Sequence, residues 1–185
     1  DEAVTVFRQA LKQEPNDLDL RLQLADALEA NEQPRAAQNE IKRILQIDPH
    51  HPEAALRQAM ALAEGWQFAE ARQAARELAA HHTDRPEVQQ QVAGLLLDIG
   101  RMLSQYGRTR EAYDVFVEGE RYDPSNAHFP LNQARMLPMA RRKDEAGPLI
   151  ERALAAAGEE TETWALAIET WAMADQIGET RALLE

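Results

Sequence analysis

The sequence predicts an all-α fold in which antiparallel helix pairs stack one against the next. Three observations predict it. Apolar residues fall at spacings of three and four, Leu24, Ala25 and Leu28 in one run and Ala37, Ile41 and Ile44 in the following one. That spacing places each set on a single helix face. Short breaks punctuate the runs, Asn31 to Pro34 within the pair and Asp48-Pro49 after it, because proline cannot continue a helix interior. The block then recurs at an interval of 34: Pro15 and Pro49 are 34 apart, as are Ala37 and Ala71, and Ala112 and Ala146.

Taken in order, residues 1–15 match only a second helix, with Ala3, Phe7 and Ala10 in the places of Ala37, Ile41 and Ile44. A complete unit occupies 16–49. The next, 50–85, carries Ala59 and Leu62, then Ala71, Ala75 and Leu78, with Gly65-Trp66 as its inner turn. Seven residues are then inserted, since Ala71 and Ala112 are 41 apart. Two extra helical turns account for seven residues. The unit 86–126 therefore starts with a long helix, Pro86 to Gln105, expected to project beyond the stack, with Asp84 and Glu87 as a capping box. Gly100, like Ala25, holds the place where two helices approach closely. The unit 127–160 contains Pro130, Pro138 and Pro148. Pro138 is expected to end the first helix early, and Gly147-Pro148 to delay or bend the second. The last segment, 161–185, starts a further unit, with Trp171 in the place of Leu137, Ile168 in the small-residue place and Thr180 in that of the second-helix alanine.

A two-helix unit recurring every 34 residues resembles the tetratricopeptide repeat family. Ile99, Gly100, Leu103 and Gly107, followed by Ala112, Phe116, Gly119 and Tyr122-Asp123-Pro124, fit its pattern best. The resemblance implies a right-handed superhelical α-solenoid of about ten or eleven helices that acts as a scaffold for another protein. An array opening and closing part-way through a unit is expected of a piece of a longer bacterial repeat protein. Two further roles fit such a piece. One is the periplasmic repeat region of an exopolysaccharide synthesis or secretion protein, recruiting a modifying enzyme or guiding polymer. The other is a substrate-recruiting arm of an enzyme whose catalytic domain lies elsewhere.

Composition narrows the partners. The net charge of −12 argues against nucleic acid, which is held by Lys and Arg on its phosphates. It also opposes an anionic membrane surface, and no apolar run approaches the roughly 18 residues of a membrane span. With no cysteine, disulfides, thiolate metal sites and a cysteine nucleophile are excluded. Periplasm and cytoplasm both remain open. Seventeen arginines beside three lysines, in an alanine-rich chain, suggest a GC-rich bacterial genome.

No catalytic constellation is present. Ser104 and Ser125 are the only serines, and neither lies in a nucleophile elbow. The glycines form no phosphate loop. No enzyme activity, cofactor, metal or small-molecule ligand is expected. His50-His51 and His81-His82 fall at turns between units, where they share a rim, and read as exposed turn residues.

In the family, the first helix of each unit lines the concave groove, so the resemblance implies the groove-facing residues. They are Leu22 and Asp26; Leu56 and Met60; Leu97 and Arg101; Leu131, Arg135 and Met139; and Glu169. The four leucines repeat at one place, as a ladder for a partner or as packing between units. Arg101 and Arg135 share one place on successive units and suit an acidic partner segment, which Arg141, Arg142 and Lys143 extend at the rim. Flexible Met60, Met139 and Met173 suit an adaptable surface. The places that hold a carboxylate in chaperone-binding members carry Gln23, Arg57, Asp98, Asn132 and Leu166 here, which argues against that specialisation.

Overall fold

The computed structural model describes residues 2–140, 142–158 and 160–173. Among the described residues there are ten α-helices and no strand: α1 (Glu2–Gln13), α2 (Leu18–Ala30), α3 (Pro34–Ile47), α4 (Pro52–Glu64), α5 (Phe68–His81), α6 (Pro86–Gln105), α7 (Thr109–Glu120), α8 (His128–Met139), α9 (Ala146–Ala157) and α10 (Thr161–Met173). The chain divides into two compact units, one ending at Val88 and the other starting at Gln89.

Local chemistry sets the helix ends. Asp17 caps α2, its Oδ1 accepting from the Leu20 amide at 2.9 Å, which satisfies one of the donors a helix start leaves open. Pro34 and Pro52 sit in the first turns of α3 and α4, where a missing N–H costs nothing. The inner turns close alike: Gln33, Gln67 and Arg108 donate their amides to the carbonyls of Leu28, Leu62 and Leu103, each at 2.9 Å. This six-to-one bond needs a left-handed residue just before the donor. Glu32, Trp66 and Gly107 supply it with φ of 58°, 65° and 71°.

In the first unit, Leu24, Ala25 and Leu28 of α2 pack on Ala37, Ile41 and Ile44 of α3, all at most 2% exposed. Arg21 adds a polar tie: its Nη1 donates to Glu40 at 2.8 Å and its Nη2 to the Pro15 carbonyl. Glu40 is buried and also receives Arg43 at 2.7 Å, so its charge is compensated, as burial demands.

In the second unit α6 packs on α7 through Gly100, where an added Cβ would lie 2.4 Å from the Phe116 ring. On α7, Gly119 does the same for Phe129 of α8, at 2.3 Å. The core continues through Leu131, Ala134, Leu137, Ala146, Ile150, Ala153, Ala167 and Trp171. Glu120 ties three helices, receiving Gln133 of α8 at 2.7 Å and Arg152 of α9.

Three expectations change. Pro138 does not end α8, which runs on to Met139. In a last turn the ring disturbs only one bond, and the Ala140 amide still finds the Met136 and Leu137 carbonyls at 3.2 and 3.0 Å. Pro130 and Pro148 lie in first turns, and α9 is preceded by a 3-10 turn, Lys143–Glu145, in the place of the first three α-helical residues of α3 and α5, so that Ala146 opens the α-helix. The small-residue place of α10 belongs to Ala167, fully buried, and Ile168 is only half-buried. There the interval is 33 from Ala134, one residue short of the period. Finally, α6 has 20 residues against 13 in α2 and α4, but its added turns do not stand free, since Val88 and Val92 are 3% and 0% exposed. Thr180 and Arg141 lie outside the described residues, as does the Lys143 side chain.

Candidate functional site

The leucine ladder is packing. Leu22, Leu97 and Leu131 are 9%, 7% and 0% exposed, and Leu56 is half-buried. Leu22, Leu97 and Leu131 are part of the buried packing, and Leu56 keeps a partly exposed face.

In the first unit, the first-helix surface is closed by ion pairs. Arg57 of α4 lies 2.6 Å from Asp26 and 3.9 Å from Glu29, both on α2, and 2.7 Å from Glu53 one turn back on its own helix. Partial burial pulls the Arg57 guanidinium down, but Asp26 and then Glu53 more than offset this and hold its pKa above the ordinary value. Arg57 is therefore committed and has no free face for an incoming carboxylate. Met60, one turn on, is exposed.

In the second unit the first-helix cations are less committed. Arg101 of α6 is exposed, and among the described residues its ion-pair partner is Asp98, at 3.8 Å. Arg135 of α8 is half-buried and forms no ion pair or hydrogen bond among the described residues. Met139, one turn after Arg135, and Met173 of α10 are 57% and 51% exposed. Glu169 is exposed on α10. Asn132, beside Arg135, is buried and donates its Nδ2 to the His128 carbonyl at 2.7 Å, so it too is unavailable to a bound carboxylate.

The histidines do meet. The rings of His50 and His81 stack with centroids 3.5 Å apart and an interplanar angle of 17°. His82 Nε2 lies 2.7 Å from the His50 carbonyl, and His51 Nδ1 caps α4 by accepting from the Ala54 amide at 3.4 Å. They fasten one inter-helix turn to the next. Among the described residues no group of three or more His, Cys, Asp or Glu side chains is placed to hold a metal ion.

Comparison with known proteins adds to this geometry. Residues 1–56 match the tetratricopeptide repeat family model. The remaining helices share the repeat fold, as solved structures show. A crystal structure of MamA superposes with a TM-score of 0.64 over 86% of this chain and 89% of its own, at 17% identity. PilF of Pseudomonas aeruginosa gives 0.64 over 95% and 75%, at 21% identity. TTC0263, a thermophilic repeat protein of Thermus thermophilus, gives 0.50 over 89% and 87%, at 20% identity. No curated protein matches the sequence. Repeats of this kind are generally scaffolds for other proteins, typically without catalysis of their own. Among the described residues no helix is long and apolar enough to cross a membrane.

One feature was not found from the sequence. At the end where α7 starts and α8 finishes, Thr109, Arg110, Tyr113, Asp114, Met136, Leu137, Ala140 and Arg142 enclose a pocket of about 350 Å³. The Arg142 guanidinium lies 5.7 Å from the centre of the Tyr113 ring and is gripped by Glu145 through two bonds of 2.7 Å. That pair of hydrogen bonds from Arg142 holds the Glu145 carboxyl below its ordinary pKa. The basic run Arg141-Arg142-Lys143 stands out in the sequence, but nothing there places Arg142 over Tyr113.

Proposed function

We propose that this chain is a protein–protein interaction scaffold whose partner lies on the first-helix surface of the second unit, on α6, α8 and α10. The partner presents an acidic segment to Arg101 and Arg135, flanked by apolar side chains against Met139 and Met173. Arg135 carries this reading. A guanidinium half withdrawn from water normally finds a carboxylate, and this one has none among the described residues. The contrast with Arg57, surrounded by three carboxylates at the matching surface of the first unit, favours the second unit as the docking surface.

The test is capture of partners from a bacterial lysate by the wild-type chain and by the Arg101→Glu, Arg135→Glu double variant, with identical melting curves as the control for folding. Charge reversal at both positions should abolish capture of those partners that bind the wild type. Unchanged capture would overturn the assignment of this surface.

A further inference from the structure

The pocket between the start of α7 and the end of α8 is separate from the surface just described and rests on different residues. Its base is apolar: Met136 and Leu137 are 4% and 1% exposed. One wall is the half-buried ring of Tyr113, with the Arg142 guanidinium over it. The backbone holds this wall as well, since the Arg142 amide donates to the Leu137 carbonyl at 2.8 Å. Ala140, the exposed residue that follows α8, leaves the mouth open because its side chain is a single methyl. At about 350 Å³ the space lies at the low end of the range for ligand pockets, which suits one large side chain better than a cofactor.

The rim carries an exposed cation. Arg142 is already neutralised by Glu145. Arg110 is exposed on the first turn of α7 and forms no ion pair among the described residues, not even with Asp114 four residues on along the same helix. With Arg142 held by Glu145, Arg110 is the cation lining the pocket that no ion pair occupies among the described residues.

We propose that this pocket anchors one phenylalanine or leucine of a partner protein, within an acidic stretch whose adjacent carboxylate pairs with Arg110. A few side chains seated in well-packed, desolvated pockets supply most of the energy of protein interfaces, and the neighbouring carboxylate fixes which apolar residue enters.

The experiment uses the whole chain with its methionine methyls labelled with carbon-13, titrated with the blocked peptide acetyl-Glu-Phe-Glu-amide and followed by NMR. The Met136 methyl should shift saturably, in the millimolar range expected of one short anchor. Ala140→Trp, at an exposed position and checked by its melting curve, should fill the mouth and remove the shift. Arg110→Glu, or the peptide acetyl-Gln-Phe-Gln-amide, should weaken binding by about fivefold, the scale of one exposed ion pair. Acetyl-Glu-Ala-Glu-amide should not bind. Arg101→Glu with Arg135→Glu should leave the titration unchanged, which separates this pocket from the surface proposed above. Absence of a Met136 shift, a shift that survives Ala140→Trp, or equal loss in the Arg101/Arg135 double variant would overturn the anchor pocket. Equal binding of the glutamine peptide would overturn its acidic partner, and tighter binding of acetyl-phenylalanine free acid would overturn an internal segment in favour of a chain terminus.

Discussion

Gly100 shows how much a single residue decides. A Cβ there would stand 2.4 Å from a Phe116 ring that is fully buried and cannot swing aside. Gly100→Ala is expected to destabilise the chain by roughly 1–3 kcal/mol through overpacking, read as a lower midpoint in thermal or urea unfolding. Leu131 makes the complementary case. It is 0% exposed, so Leu131→Ala should cost about 2–5 kcal/mol of stability, although family resemblance places it in the groove. A Leu131→Ala protein that unfolds like the wild type would show that the site is open to solvent after all. At Glu145 the consequence is electrostatic. Its carboxyl is held below the ordinary range by Arg142, so what the pair contributes is present above the unfolded carboxylate's pKa and is lost as pH falls through the lowered one. A carbon-detected NMR titration should place Glu145 below an ordinary glutamate, and Arg142→Gln should return it.

The inner turn is the element with the clearest sequence rule. Three of these turns need a left-handed residue after the helix, and the chain fills the place with Glu32, Trp66 and Gly107. A side chain there is disfavoured by contact with its own carbonyl, so the first two hold strain that the third avoids. Glu32→Gly is expected to raise stability by about 0.5–1 kcal/mol, and Gly107→Ala to lower it by a similar amount. Melting curves of the two variants should move in opposite directions, and movement of both in one direction would show that the turns are not equivalent. The prolines of α8 and α9 carry the same lesson. Each looks destructive in a linear sequence, yet Pro130 and Pro148 sit in first turns, where the amide has no partner to lose, and Pro138 removes one bond next to the end of α8.

At the scale of the molecule, each unit has its own buried cluster, Leu24 to Ile44 among others in the first and Leu131 to Trp171 in the second. In a repeat protein, stability is close to a sum of such nearest-neighbour terms, so damage should stay local. Leu131→Ala is expected to lower amide protection in α8 and α9 and to leave that of α2 and α3 at its wild-type level, measured by native-state hydrogen exchange. Loss of protection throughout would mean a single cooperative block.

By itself the sequence determined the helices, their pairing and their interval, because apolar spacing and proline position act over a few residues and do not depend on what lies across the fold. It also marked Gly100 and Ala25 as places of close approach. Only the tertiary structure decided the rest. A helix face is the same in a linear pattern whether a leucine on it meets solvent or a neighbouring helix, so Leu22, Leu97 and Leu131 became core. Arg57 was already committed to carboxylates on α2, a neighbour distant in sequence, and Arg135 was not. A pocket formed by Tyr113, Met136 and Arg142 exists only where the start of one helix meets the end of the next, and no periodicity along the chain records that meeting.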